Sequence, residues 1–281
     1  MAKEGMEAMF EQRVALVTGA GGGIGLATCR TLARDGFYVV VTDITLERAK
    51  AVAEELNDAG TGAMPLQLDV MSNASEIAAA VDGVFAQTGR IDVLVNNAGG
   101  SAALLGKITD FHEAEEATWE WVLQLNLGGT MRCVHAVLKY MLAARYGRII
   151  NLASIAANGL PSRVDYSAAK AGIVGFSKAL AMEVGHAGIT VNCVSPGLIG
   201  RMRPDSSGKL PQECAARPTD GNWLGRTGVP MDVAETIAFL ASEAASYITG
   251  MDILVDGGRM LGPTSQMGRQ ELYNKDAEAP K

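Results

Sequence analysis

The sequence predicts an α/β fold: one doubly wound parallel sheet of about seven strands, flanked by helices on both faces. Between Arg13 and Gly258, short β-branched runs alternate with longer stretches rich in Ala and Leu, the pattern of repeated βα units. Most of the apolar runs are short and unalternating, as strands covered on both faces are. A chain of 281 residues suits one large α/β core, and no internal repeat points to a solenoid or propeller.

In order, Val14 to Thr18 is the first strand, and Ile24 to Asp35 the helix that crosses over from it. Tyr38 to Asp43 is the second strand, followed by a helix over Thr45 to Asn57. Met64 to Val70 and Ser75 to Thr88 make the third pair. Val93 to Asn96 is the fourth strand, and one long helix, Glu115 to Arg145, leads to the fifth, Gly147 to Leu152. The helix Asp165 to Gly185 precedes the strand Thr190 to Ser195, and the helix Met231 to Ser242 precedes the last strand, Asp252 to Val255. Residues 1–12 are an N-terminal extension, 13–260 form the domain, and 261–281 are a polar tail. Within the domain, 198–229 is rich in Gly, Pro and charge and long enough for a substrate loop.

Composition excludes several classes of function. With 48% hydrophobic and 20% charged residues the chain can offset the entropy of folding, so global disorder is ruled out. The net charge is −7 with no Lys- or Arg-rich block, so nucleic acid is not an expected partner. No run of ~18 apolar residues is available to cross a membrane. The first residues, with Glu4, Glu7 and Glu11, do not read as a signal peptide, so a cytoplasmic protein is expected. Cys29, Cys133, Cys193 and Cys214 are far apart and His112, His135 and His186 isolated, which gives no support for a metal site.

The first strand runs into Gly19-Ala-Gly-Gly-Gly-Ile-Gly25, five glycines in seven residues, and then into an apolar helix. Gly19, Gly21, Gly22, Gly23, Ile24 and Gly25 therefore form a turn whose amides can approach a pyrophosphate at the positive end of a helix. A Rossmann-type dinucleotide site follows. Asp43 ends the second strand eighteen residues after Gly25, near the interval at which an acid accepts hydrogen bonds from the adenosine ribose. That carboxylate suits NAD and would repel the 2′-phosphate of NADP, and Gly22 and Ile44 supply no basic neighbour. Asp43 can equally cap the helix starting near Thr45, and the two roles are compatible.

Spaced as Gly19, Gly23 and Gly25, the glycine turn resembles the TGxxxGxG form of the short-chain dehydrogenase/reductase family. Asn96-Asn-Ala-Gly99, Asn126, Ser154 after the fifth strand, Tyr166-Ser-Ala-Ala-Lys170 and Pro196-Gly197 are similar to further motifs of that family, in its order. The resemblance implies that Tyr166 is the acid/base, Lys170 tunes it, Ser154 holds the substrate oxygen and Asn126 supports a proton-relay water. It also implies that Asp69 and Val70 flank the adenine, that Asn97, Ala98 and Gly99 line the cofactor, and that the helices of 115–145 and 165–185 build a dimer or tetramer. Independently of the family, Tyr166 and Lys170 share one helix face, and an ammonium at ~5 Å with an effective dielectric of ~20 supplies about 3 kcal/mol toward a phenolate. That is nearly enough to bring a phenol to neutral pH, with an oxidised nicotinamide adding the rest.

Arg201 stands where the family often has a Thr that contacts the nicotinamide carboxamide, so backbone groups of Ile199 are the substitute candidate. Gly100 to Leu125 is longer than in the family's fatty-acid ketoreductases, which offers Ser101, Ala102 and Ala103 as one substrate wall. Ile155, Ala156, Leu160 and Leu198 are further lining candidates and suggest an apolar alcohol or ketone, whereas Arg201, Arg203 and Lys209 offer charge for an anion. The expectation is an NAD-dependent oxidoreductase interconverting a small-molecule secondary alcohol and its ketone. Two alternatives are an NADPH-dependent 3-oxoacyl reductase and a catalytically silent dinucleotide-binding regulator, which should lack one of the four motif residues that are all present here.

Overall fold

Seven parallel strands build the sheet of the computed structural model, which describes residues 11–200 and 210–262. In chain order they are β1 (Val14–Val17), β2 (Tyr38–Asp43), β3 (Ala63–Gln67), β4 (Val93–Asn96), β5 (Gly147–Leu152), β6 (Ile189–Pro196) and β7 (Asp252–Val255). Their spatial order is β3-β2-β1-β4-β5-β6-β7, so the winding reverses between β1 and β4. Ligands bind at the carboxyl ends of strands beside such a switch point.

The helices are α1 (Gly23–Arg34), α2 (Leu46–Asp58), α3 (Ala74–Thr88), α4 (Glu116–Leu123), α5 (Gly129–Ala144), α6 (Val164–Val184) and α7 (Pro230–Ala241). Successive strand residues point to opposite faces, and both faces are covered. Ala15, Val17, Val93 and Val95 pack under α1, α2 and α7, while Val14, Leu16, Leu94 and Ile149 pack under α3, α5 and α6. Every residue of β1, β2, β4, β5 and β6 is buried, polar ones such as Arg148, Asn151, Asn192 and Ser195 included, which is why these strands read as short, mostly apolar runs without alternation. Among the described residues no helix is long and apolar enough to cross a membrane.

Two expected elements are corrected. The third strand ends at Gln67 rather than at Val70. Its neighbour β2 stops at Asp43, and after a last bond from Leu68 N–H to the Asp43 carbonyl the chain turns, with the Asp69 carboxylate accepting the Met71 N–H at 2.8 Å. The helix expected over 115–145 is two helices, α4 and α5, joined by a π-helical turn over Gln124–Gly128. Wider turns of this kind arise where one extra residue is accommodated in a helix, and they gather at functional sites. Residues 1–10, Arg201, Arg203, Lys209 and residues 263–281 of the tail lie outside the described residues.

Candidate active site

The glycine turn after β1 is tied to the loop after β4. Thr18 Oγ1 accepts the N–H groups of Asn97 and Ala98, both at 3.0 Å, and Asn97 Nδ2 donates to the carbonyls of Thr18 and Gly19, both at 2.9 Å. Gly19 has φ +61°, and a Cβ there would lie 2.8 Å from Ala98 Cα. No side chain caps α1 at Gly22, so its first amides are open to an anion. This compact, glycine-lined helix start at the switch point fits a dinucleotide pyrophosphate.

Asp43 is buried beside that turn. Its Oδ2 accepts the Gly21 N–H at 3.0 Å and its Oδ1 the Thr45 N–H at 3.0 Å, so it fixes the glycine turn and the bend into α2 together, although no side chain caps the helix itself. Gly22 and Ile44 carry no charge, but a basic residue further along the chain lies close by. A Cβ on Gly21 would lie 2.7 Å from both Asp43 Oδ2 and Arg48 Cβ, which brings the exposed Arg48 of α2 alongside. The signal was available in the sequence: a helix begins at once after Asp43, and its first turn faces the same loop.

At the carboxyl ends of β4 and β5 the other motif residues converge. Asn126, in the π-helical turn and fully buried, donates through Nδ2 to the carbonyls of Gly100 at 2.7 Å and Val122 at 2.8 Å. Its Oδ1 accepts the Gly100 N–H at 3.1 Å. Lys170 is buried on α6 and donates to the Leu152 carbonyl at 2.5 Å. Gly99 sits between the two, because a Cβ there would lie 2.6 Å from Asn126 Oδ1 and 3.5 Å from Lys170 Nζ. Ser154 follows β5 and accepts the Ala156 N–H at 3.1 Å, which orients its hydroxyl. Tyr166, half-buried, has its ring centre 5.5 Å from Lys170 Nζ.

The family profile of the short chain dehydrogenases matches residues 13–207. The chain belongs to that family. This short-chain dehydrogenase is 40% identical over 256 residues to (2S)-[(R)-hydroxy(phenyl)methyl]succinyl-CoA dehydrogenase subunit BbsD of Thauera aromatica, with 90% of this chain and 98% of that one covered. It is 41% identical to cis-4-hydroxycyclohexanecarboxylate dehydrogenase of Sinomonas cyclohexanicum, over 89% of this chain and 97% of the other. It is 40% identical to the 3-oxoacyl-[acyl-carrier-protein] reductase FabG of Aquifex aeolicus, over 90% and 99%. The crystal structure of acetoin dehydrogenase YohF from Salmonella typhimurium superposes with a TM-score of 0.80 at 31% identity, over 89% of this chain and 97% of that one.

The electrostatics of the short-chain dehydrogenase site include a cost of burial. Burial raises the Tyr166 phenol above its ordinary value, against the opposing effects of the Ser154 hydroxyl and of Arg163. Burial also lowers the Lys170 ammonium to about 8. A low-dielectric pocket penalises both charged forms, so Lys170 alone does not bring the phenol near neutrality.

The remaining residues scatter. Val70 is buried, its side chain against Gly129, and its carbonyl accepts from Arg132 at 3.0 Å. Pro196 ends β6, and the Gly197 N–H donates to the Val255 carbonyl at 3.0 Å. Ile199 bridges to Gly228 through its neighbours, the Leu198 carbonyl and the Gly200 N–H, so its own N–H and C=O face away from Gly228. The expected apolar lining is uneven, with Ala156 buried, Ile155 half-buried, and Leu160 and Leu198 exposed. Leu198 and Ile199 instead help line a cavity of about 350 Å³ with Leu224, Asp232 and Ile253, beside β7 and apart from Tyr166. Besides Arg48, a residue missed from sequence is Arg163, whose Nη1 donates to Ser101 Oγ at 2.7 Å. Among the described residues no group of His, Cys, Asp and Glu is arranged to hold a metal ion.

Proposed function

We propose that this short-chain dehydrogenase uses NAD to interconvert a secondary alcohol and its ketone, with Tyr166 as the acid/base. The observation that carries the reading is the convergence of Asn126 and Lys170 on Gly99 at the switch point, with Tyr166 one helical turn before Lys170. NAD is favoured by the buried Asp43 carboxylate, held beside the glycine turn by two backbone amides. The dinucleotide would be held by the turn from Gly19 to Gly25, by Asp43, by the Asp69–Val70 corner, by Asn97 to Gly99, by Tyr166 and Lys170 on the nicotinamide side, and by Pro196, Gly197 and Ile199. When bound, the nicotinamide would supply the two-electron hydride chemistry that interconverts the carbinol and carbonyl carbons.

The chain's own residues handle the proton and the orientation. The Ser154 hydroxyl, fixed by the Ala156 N–H, donates to the substrate oxygen. The Tyr166 oxygen takes the alcohol proton in oxidation and returns it in reduction. Lys170, anchored on the Leu152 carbonyl, keeps a positive charge 5.5 Å from the centre of the Tyr166 ring. Asn126, with both amide hydrogens given to the Gly100 and Val122 carbonyls and its oxygen accepting the Gly100 N–H, holds the floor of the site in place.

A second reading, an NADPH-dependent 3-oxoacyl reductase, is favoured by Arg48 beside Asp43 and by the likeness to FabG. The discriminating experiment follows nicotinamide absorbance with NAD and NADP in parallel over a panel that includes 4-hydroxycyclohexanecarboxylate, acetoin and a 3-oxoacyl thioester. Preference for NAD with alcohols supports the first reading, and NADPH with the thioester the second. Self-association through α4 to α6 belongs to the same proposal, and sedimentation as a monomer would refute it.

A further inference from the structure

Arg163 stands immediately before α6, three residues ahead of Tyr166, and is half-buried. Its guanidinium donates to Ser101 Oγ at 2.7 Å and makes no ion pair with a carboxylate among the described residues. The nearest acid in sequence, Asp165, turns onto its own helix and accepts the Tyr166 N–H at 2.7 Å. Ser101 Oγ also accepts the Ala103 N–H at 3.4 Å, so its acceptor positions are taken and its own proton is left to donate. The adjoining Ser162, at φ +55°, donates to Asp110 Oδ1 at 3.0 Å. The segment after β4 is thus pinned to the start of α6 at two points, and it presents a guanidinium with N–H groups to spare next to a hydroxyl donor. The guanidinium's charge also acts on the nearby Tyr166 phenol, against the effect of burial.

We propose that Arg163 and Ser101 form a carboxylate-binding subsite, so that the substrates are secondary hydroxy acids and their oxo-acid counterparts, with the carboxylate on Arg163 and the carbinol at Tyr166. Guanidinium and carboxylate match as a planar, charge-assisted pair, and the Ser101 hydroxyl donates to the same anion. This deepens the dehydrogenase reading and rests on it for the position of the carbinol.

The test pairs secondary hydroxy acids of graded length with their primary amides, and measures kcat/KM in the wild type, Arg163→Ala, Arg163→Lys and Ser101→Ala. Separately, hexanoate and hexanamide, which carry no hydroxyl to oxidise, are titrated calorimetrically into each protein. The expected result is that the acid-over-amide ratio falls about tenfold or more in Arg163→Ala, the size of one charged hydrogen bond, and less in Arg163→Lys, with hexanoate binding weakening in the same order. Equal losses on acid and amide would overturn the subsite and leave Arg163 acting only through Tyr166. Hexanoate binding that depends on Arg163 without nicotinamide-linked turnover of any pair would support the subsite and sink the dehydrogenase reading instead.

Discussion

Lys170 Nζ lies 5.5 Å from the centre of the Tyr166 ring and donates to the Leu152 carbonyl at 2.5 Å. One helical turn separates the two residues, and the same burial pushes their titrations in opposite directions, the phenol up and the ammonium down to about 8. The cofactor-free pocket therefore favours a neutral phenol. Alcohol oxidation needs the phenol's oxygen free to accept a proton, and ketone reduction needs it protonated. Oxidation is expected to gain kcat/KM as pH rises from neutrality, and reduction to lose it as pH rises. A pH-rate profile in both directions checks this; two profiles of the same slope would contradict it.

Replacing Tyr166 by Phe removes the proton carrier and leaves the ring. Turnover is expected to drop by about 10² to 10⁴, the usual contribution of a positioned acid or base. NADH binding, followed by nicotinamide fluorescence, should change little, because the glycine turn and Asp43 are contributed by other elements. Retained turnover would remove Tyr166 from its role.

Lys170 also leaves a signature in stability. Its ammonium falls from 10.5 to about 8 on folding, which amounts to a penalty of about 3 kcal/mol where both states are protonated. Below pH 8 that penalty is complete. Between about 8 and 10.5 the unfolded chain binds more protons, so stability rises with pH, and above 10.5 the penalty is gone. Lys170→Met escapes the penalty and forfeits the bond to Leu152, worth about 1 to 3 kcal/mol once the carbonyl is left bare. The cofactor-free variant should equal or exceed the wild type in Tm at pH 7 and fall below it near pH 10. A difference in Tm that stays constant from pH 7 to 10 would contradict the depressed titration.

The fold was legible because burial on both faces writes itself as mostly apolar runs, and β1, β2, β4 and β5 begin where those runs begin, while the half-buried edge strand β7 was marked by its short Ile-Leu-Val run. The glycine turn was legible because its residues are consecutive. The π-helical turn at Asn126 was not, since one extra residue in a helix leaves the local spacing of Ala, Leu and Val nearly unchanged. Arg163 was hidden because its partner Ser101 lies 62 residues away and only the sheet brings them together. Arg48 was closer to hand, but its neighbourhood is set by how Asp43 directs the chain into α2. The burial of Tyr166 and Lys170, which decides their titration, has no local sequence signal.

Gly99→Ala tests the crowding between Asn126 and Lys170. Its Cβ would fall 2.6 Å from Asn126 Oδ1, so the amide must shift and loosen its bonds to Gly100. We expect kcat to fall at least about tenfold, since a misplacement near 1 Å can cost 10²-fold, with the far-ultraviolet circular dichroism unchanged. Unaltered kcat would show that the close approach has no bearing on the chemistry.

Asp43 gives the sharpest test of cofactor choice, because Arg48 stands next to it. A 2′-phosphate carries close to two negative charges, and against the Asp43 carboxylate it meets repulsion in a buried setting where screening is weak. Asp43→Ser removes the repulsion and keeps an oxygen for the Gly21 or Thr45 amide, both of which the carboxylate now satisfies at 3.0 Å. The ratio of kcat/KM for NAD over NADP is expected to fall at least about tenfold, and adding Arg48→Ala should restore part of it by withdrawing the cation the phosphate would use. Asp43→Ser should also lower Tm, because one of the two amides loses its acceptor at a cost of about 1 to 3 kcal/mol. A wild type that already prefers NADP, or a ratio indifferent to both substitutions, would place cofactor selection elsewhere in the site.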